Sequence, residues 1–314
     1  MSQAIDLKQT AELLLANDDF AVICHASPDG DTLGGAYALC GALQRIGKRA
    51  KVILPEKASS RFNYLLSGIE EQDFSEKFVV TVDAADSALL GEYEEKYKNP
   101  DLCIDHHVSN TGYAKKLLLD SDAAAACEVV FKLIKLLGEN AMSADIAACL
   151  YTGISTDTGC FKFSNTSADS HRLTAELMEY GFDCASLNYL LFEMRTKERI
   201  ALECIALESI EMHFDGRCAV ISLSSEAIGA ADDEDMNAIS ALSRQIEGVE
   251  VGVTLKQKEE NVWKASVRTK SYMNAQVICA NFGGGGHQRA AGCKMKYPLD
   301  ECKKMLLQEI EKHM

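Results

Sequence analysis

The stretch from Phe20 to Ile46 constrains this chain more than any other. Phe20-Ala21-Val22-Ile23-Cys24 is a continuous apolar run, broken at Pro28 and Gly30, and Thr32 to Ile46 follows with helical character up to Gly47. A short apolar run bounded by turn residues reads as a buried strand, so the segment is strand, turn and helix. Its polar residues fall at the carboxyl end of the strand, where open α/β sheets place their ligand sites. Three metal-binding side chains lie close together there: His25, Asp29 and Asp31. An imidazole and two carboxylates suit manganese, magnesium, iron or zinc. Asp29 and Asp31 are two positions apart, so a turn can aim them at two different ions. Read alone, the same residues also fit a polar turn with a helix-capping Asp and a surface His.

The first half of the chain continues this alternation. Ala50–Leu54 reads as a strand stopped by Pro55, Ser60–Leu66 as a helix, and Lys77–Val82 as a strand that runs into Asp83. Ser87–Lys98 reads as a charged helix. Asp101–Ile104 then forms a short strand ending in Asp105-His106-His107. Two adjacent histidines on an extended segment cannot point the same way, so one can bind metal while the other faces a phosphate. A neighbouring Asp can accept the remaining ring N–H and fix the tautomer. Asp122–Leu137 and the segment from Ser143 onward read as helices, the second reaching Asp157 in a stretch of small and hydroxyl residues. Met1–Phe20 reads as an acidic amphipathic helix, Ser167–Tyr180 and Asp183–Phe192 as helices, and His171 as a surface residue.

Composition bounds the rest. A length of 314 residues suits two domains on a prior of roughly 150 residues each. No apolar run approaches the ~18 residues of a membrane span. The amino terminus lacks a signal-peptide pattern. Twelve cysteines without a Cys-x-x-Cys pair point to reduced thiols in a cytoplasm. A net charge of −15 disfavours a long nucleic acid held through its phosphates. A short anionic substrate would need cations and a few placed Arg or Lys.

Thr196–His213 carries helical spacing and links the halves. Beyond it, Cys218–Leu223 reads as a strand, and Asp232-Asp233-Glu234-Asp235 as the acidic start of a helix through Ile246. Val249–Gln257 and Val262–Thr269 alternate as the strands of a hairpin, with Trp263 packed in a core. Asn274–Asn281 is a helix that meets Gly283-Gly284-Gly285-Gly286-His287-Gln288-Arg289. Glycines let a backbone approach a ligand closely and aim N–H groups at an anion. Read without context, such a run is also a flexible loop.

Taken together, HASPDGD (25–31), VDAAD (82–86), IDHH (104–107) and GISTDTG (153–159) resemble, in order, the four motifs of the DHH phosphoesterase superfamily. The segment GGGGH (283–287) resembles the GGGH motif of the DHHA1 domain. The resemblance implies an α/β fold: a doubly wound, mainly parallel sheet in a DHH domain over 1–192, a linker helix over 193–213, and a smaller mixed-sheet DHHA1 domain over 214–314. It implies two divalent ions, most often manganese. One would be held by His25, Asp29 and Asp83, the other by Asp31, Asp83, His106 and Asp157, with Asp83 bridging. His107 would contact the scissile phosphate and Asp105 would support His106. Arg268, Gly284, Gly285, Gly286 and His287 would bind substrate.

Within the superfamily the chain is similar to the small two-domain oligoribonuclease and pAp phosphatase group. That likeness implies hydrolysis of short oligoribonucleotides to 5′-mononucleotides, or of 3′-phosphoadenosine 5′-phosphate to AMP. Its partners would be short nucleotides, with no long nucleic acid and no membrane, and a homodimer is left open. A cyclic dinucleotide or pApA phosphodiesterase shares the same motifs. A non-catalytic nucleotide sensor would show degraded metal ligands, and none is missing.

Overall fold

A computed structural model describes residues 2–229 and 233–314. Asp232 and the side chains of Asp233, Glu234 and Asp235, the acidic run read as a helix start, lie outside the described residues. The chain divides into two compact units, Met1–Met194 and Arg195–Met314.

In the first unit, strands β1 (Gln3–Ala4), β2 (Phe20–Ile23), β3 (Ala50–Ile53), β4 (Phe78–Val82), β5 (Leu102–Asp105) and β6 (Lys116–Leu119) form one sheet in the order β1-β6-β5-β4-β2-β3. All five pairings are parallel. The helices are α1 (Leu7–Ala16), α2 (Gly30–Arg45), α3 (Glu94–Tyr97), α4 (Ala126–Leu137), α5 (Ala144–Asp157), α6 (Ala168–Met178) and α7 (Cys184–Asn188). The central strands β2, β4 and β5 are apolar but for Thr81 and Asp105, because both faces of a parallel sheet are covered. One face carries the main core, built with Leu33, Leu39, Phe131, Ile134 and Leu150. The other packs Ile23 and Ala84 against Leu90 and Tyr97.

Two features of this unit position the site. The chain leaves β2 toward β3 on one side and returns through β4 on the other, so the strand order reverses between β2 and β4. The carboxyl ends there form the crevice in which open α/β sheets bind ligands. Helix α2 is also buried along most of its length and is rich in small residues. A Cβ at Gly34 would lie 2.3 Å from the Cys149 carbonyl oxygen, so α2 and α5 pack backbone to backbone.

Several elements differ from the sequence expectation. The first helix is shorter, opened by a capping box of Asp6 and Gln9, and it follows the short strand β1. Ser60–Leu66 is a 3₁₀ helix. The expected helix over 87–98 is a 3₁₀ segment, Ser87–Tyr93, followed by α3 and broken at Gly91, whose φ is +56°. Strand β6 had no apolar alternation to announce it, and it forms because Lys116–Leu119 adds to β5. Helix α4 begins at Ala126 rather than Asp122, and residues 120–125 form a turn instead.

In the second unit, β7 (Glu211–His213), β8 (Cys218–Leu223), β9 (Val251–Glu259), β10 (Val262–Thr269), β11 (Gly285–His287) and β12 (Ala290–Met295) form a mixed sheet in the order β11-β12-β10-β9-β8-β7. Only β8 and β9 run parallel. Its helices are α8 (Lys197–Glu208), α9 (Ser225–Ile228), α10 (Asp233–Gln245), α11 (Ala275–Ala280) and α12 (Leu299–Glu311). Cys218 and Val220 face one core, which includes Trp263, Ile278 and Leu306. Ile221 and Leu223 face the other, with Met236 and Ile239. The segment read as a linker helix is helical only over α8, where Leu202 and Ala206 pack into that second core. Residues 211–213 instead pair with β8 as a strand.

Candidate metal centre

Six segments of the first unit converge at the switch point. His25 follows β2, and Asp29 caps α2 by accepting from the Asp31 and Thr32 amides at 3.0 and 3.2 Å. Asp31 lies in the first turn of α2 and is fully buried. Its carboxylate accepts from the Ala126 amide at 2.6 Å and the Cys127 amide at 2.9 Å, the free N–H groups at the start of α4. Asp83 follows β4 with φ of +60°, a left-handed conformation that Asp tolerates better than most residues. Asp105 ends β5, His106 and His107 follow it, and Asp157 ends α5.

Both inward-facing histidines have their tautomer fixed by a backbone carbonyl. The His25 Nδ1–H donates to the Ala26 carbonyl at 2.7 Å, and the His106 Nδ1–H to the Ala123 carbonyl at 3.1 Å. That directs each Nε2 into the cluster, the ring atom this orientation offers a metal. His25 Nε2 lies 3.8 Å from Asp29 Oδ1 and 3.7 Å from Asp83 Oδ2. His106 Nε2 lies 3.8 Å from Asp31 Oδ2, 3.5 Å from Asp83 Oδ1 and 3.6 Å from Asp157 Oδ2.

The ligand atoms form two compact sets, His25 with Asp29 and Asp83, and Asp31 with His106 and Asp157, each within 4.8 Å. Asp83 reaches both through its two oxygens, so the sets adjoin there. A third grouping joins Asp83 and His106 to His107.

Asp105 is placed differently from the sequence expectation. Its Oδ1 accepts from the His107 Nδ1–H at 2.9 Å and from the His106 amide at 2.8 Å, and its Oδ2 from Asn110 at 2.6 Å. It thus orients the ring of His107, while the ring of His106 is held by Ala123. The reason is the strand end: the two rings diverge, with centroids 4.4 Å apart and planes at 61°. His107 is 46% exposed, and its Nδ1 is engaged.

The electrostatics fit divalent cations. Burial, then the neighbouring Asp83 charge, pushes the Asp31 carboxyl up to about 7. Burial, with Asp31, Asp29 and Asp83 around it, pushes Asp157 up to about 9. Burial opposes protonation of His25 and His106, but the facing carboxylates outweigh it and raise each to about 10. The cluster holds more negative charge than its imidazoles offset, and cations meet that demand. Asp83 Oδ1 and His106 Nε2 are also buried without a hydrogen-bond partner, which a buried polar atom seldom tolerates. A set of carboxylate oxygens and imidazole nitrogens suits manganese, magnesium, iron or zinc.

The sequence reading missed four supports: the Ala123 carbonyl, the α4 amides on Asp31, Asn110 and Gly153. A Cβ at Gly153 would lie 2.5 Å from Asp31 Oδ1 and 2.2 Å from Cys127 Sγ. Only the small-residue run around Gly153 carried a signal of it.

The other sequence candidates lie on the second unit. Arg268 in β10 is in register with Ala290 of β12, which is in register with His287 of β11. Arg268 and His287 therefore project from one face, on either side of a small residue. The Arg268 guanidinium touches its neighbour's carbonyl, Val267 O, at 3.2 Å, and no carboxylate among the described residues pairs with it. Two glycines of the loop have a packing reason. A Cβ at Gly284 would lie 2.3 Å from the Gly292 carbonyl, and one at Gly286, φ +143°, 2.5 Å from the Ala290 carbonyl. Gly285 faces open space.

The family model described as the DHH family, N-terminal domain, matches residues 19–154, and the DHHA1 domain model matches residues 221–314. A bifunctional oligoribonuclease and PAP phosphatase of Thermus thermophilus is 34% identical over 316 residues, across 98% of this chain and 94% of that protein. A probable enzyme of the same description from Streptococcus mutans is 26% identical, across 91% and 92%. The crystal structure of an exopolyphosphatase-related protein from Bacteroides fragilis superposes with a TM-score of 0.86 at 23% identity, across 98% and 95%, and shares the fold.

Proposed function

The chain belongs to the DHH family, with a DHHA1 domain following, and we propose that it is a two-metal phosphoesterase acting on short nucleotides. Its substrates are short oligoribonucleotides, released as 5′-mononucleotides, and 3′-phosphoadenosine 5′-phosphate, converted to AMP. The carrying observation is the pair of ligand sets that adjoin at Asp83, with both histidine Nε2 atoms directed inward. The relatives described as oligoribonuclease and PAP phosphatase support the substrate class. Net charge supports a small substrate, because a surface at −15 repels a long phosphate chain. Twelve free thiols suit a reducing cytoplasm.

In this reading His25, Asp29 and Asp83 hold one ion, and Asp31, Asp83, His106 and Asp157 the other, with manganese the preferred metal. Two such ions, when bound, would acidify an attacking water and offset charge on the phosphoryl oxygens. The protein's own groups do the rest. Asp105 accepts from the His107 Nδ1–H and raises the pKa of the ring, so the protonated His107 donates its Nε2–H to a phosphoryl oxygen and passes that proton to the oxygen that leaves. Asn110 and two backbone amides hold Asp105 in turn. On the second unit, Arg268 lies across Ala290 from His287, and its guanidinium is suited to a nucleotide phosphate.

The test is AMP release from 5′-phosphorylated diadenylate by the purified protein with manganese. An Asp157→Ala control runs beside it, with 3′-phosphoadenosine 5′-phosphate, cyclic di-AMP and pyrophosphate in parallel. Metal-dependent cleavage of the linear dinucleotide, absent from the control, is the expected result. Faster cleavage of cyclic di-AMP would replace the substrate assignment, and no cleavage of any with metal bound would overturn the enzymatic one.

A further inference from the structure

The chain turns sharply after Asp157, and the turn packs one aromatic ring, half-buried, against the core and presents another. Gly159, Cys160 and Phe161 have φ of +56°, +57° and +62°, three left-handed residues in succession. Thr158 ties the turn together. Its carbonyl accepts from the Lys162 and Phe163 amides at 2.9 and 3.0 Å, and its hydroxyl from the Phe161 amide at 3.1 Å. Asn165 fastens the far side, donating to the carbonyls of Asp157 at 3.1 Å and Ala124 at 3.2 Å. Ala124 adjoins Ala123, the residue that orients His106. The turn is therefore anchored to the metal cluster at two points.

Its two aromatic residues have opposite fates. Phe161 packs on Tyr151 and stacks on His171 at 5.0 Å. Phe163 has no ring neighbour among the described residues and is 58% exposed. Its ring rests over Gly159, where a Cβ would lie 2.4 Å from it, so the ring is supported from below. Lys162, between the two, is exposed.

We infer that Phe163 and Lys162 form a nucleotide subsite on the metal-bearing unit. The exposed face of Phe163 stacks on the base of the nucleotide whose phosphate reaches the metal cluster, and the Lys162 ammonium meets a phosphate of the same substrate. The inference deepens the phosphoesterase reading and rests on it for the choice of ligand. A ring already seated on Gly159 loses little freedom when a base stacks on it. Stacking tolerates any base because every base has a π-face, as an enzyme of short mixed RNA requires.

Three full-length variants test it: Phe163→Leu, Phe163→Trp and Lys162→Gln. Substrates are 3′-phosphoadenosine 5′-phosphate and its abasic counterpart, ribose 3,5-bisphosphate. Phe163→Leu should raise KM for the adenosine substrate about tenfold, leave kcat nearly unchanged, and leave the abasic substrate unaffected. Phe163→Trp should keep wild-type KM, and AMP should quench its added indole fluorescence relative to wild type, where Trp263 is buried. Lys162→Gln should raise KM for both substrates. Unchanged KM in Phe163→Leu, equal losses on both substrates, or no quenching would overturn the subsite. If wild type hydrolyses no nucleotide, the phosphoesterase reading fails instead, and quenching by AMP still decides the subsite.

Discussion

Gly153 has no side chain because Asp31 fills the space: a Cβ there would lie 2.5 Å from Asp31 Oδ1. Asp31 is held in that space by the amides of Ala126 and Cys127. Gly153→Ala should therefore destabilise the protein by about 1–3 kcal/mol through overpacking, although Ala is the better helix former by up to about 1 kcal/mol. Divalent-metal content per chain, measured by mass spectrometry, should fall with the thermal midpoint. A higher midpoint with full metal content would contradict the packing argument.

Asp83→Asn separates charge from shape. Asn keeps the left-handed φ of +60° with little strain, while one carboxylate leaves a crowded cluster. Without metal, stability should change little, since lost repulsion with Asp31 and Asp157 offsets lost attraction to the His25 and His106 imidazoles. With metal, kcat should fall by about a hundredfold to a thousandfold, the scale of a lost electrostatic contact at a reacting phosphate. Calorimetry of the stripped protein and steady-state kinetics read the two effects separately.

The glycines of the 283–287 loop should divide by role. Gly284→Ala and Gly286→Ala force a Cβ into β12 and should lower the thermal midpoint. Gly285→Ala meets nothing within 4 Å and should leave it unchanged. If the loop receives the nucleotide, Gly285→Ala will raise KM, and comparing midpoints with KM for all three distinguishes packing from binding.

Arg268 is half-buried, and burial together with nearby Arg244 presses its pKa below the usual guanidinium value. Arg268→Ala removes that unfavourable charge, so the midpoint should hold or rise. KM should increase about ten- to hundredfold, as a charge-assisted hydrogen bond of about 1.5–3 kcal/mol implies. Metal content should not change, because Arg268 belongs to the second unit.

Acid stability has one traceable source in Glu76. Hydrogen bonds from Lys96 and Tyr97, each at 2.7 Å, hold its pKa down to about 2 from the usual 4.5. A depressed carboxyl pKa contributes stability above the unfolded value, and that contribution is lost as pH falls through the folded one. Glu76→Gln should cost about 1 kcal/mol at neutral pH. The difference from wild type should shrink between pH 4.5 and 2, read by denaturant titration at several pH values.

Much of the fold and the cluster was legible because the motifs are local. His25, Asp29 and Asp31 lie within one strand, turn and helix, and Asp83 and Asp105 terminate apolar runs that could only be strands. The weak points were elements without a pattern of their own. Lys116–Leu119 becomes a strand only because β5 is beside it, and the helix expected from Ser87 breaks at a single left-handed glycine.

Residue order by itself determined which side chains stand at strand ends and therefore which could meet. It also determined the alternation that makes a parallel sheet with a switch point. Tertiary structure decided what each side chain does there. The His106 tautomer depends on a carbonyl 17 residues away, and Asp31 depends on amides 95 and 96 residues away. Asp105 serves His107 rather than the His106 ring because two successive side chains leave an extended segment in different directions. A hydrogen bond is chosen by distance in space, and sequence separation carries no information about it once the chain has folded back on itself.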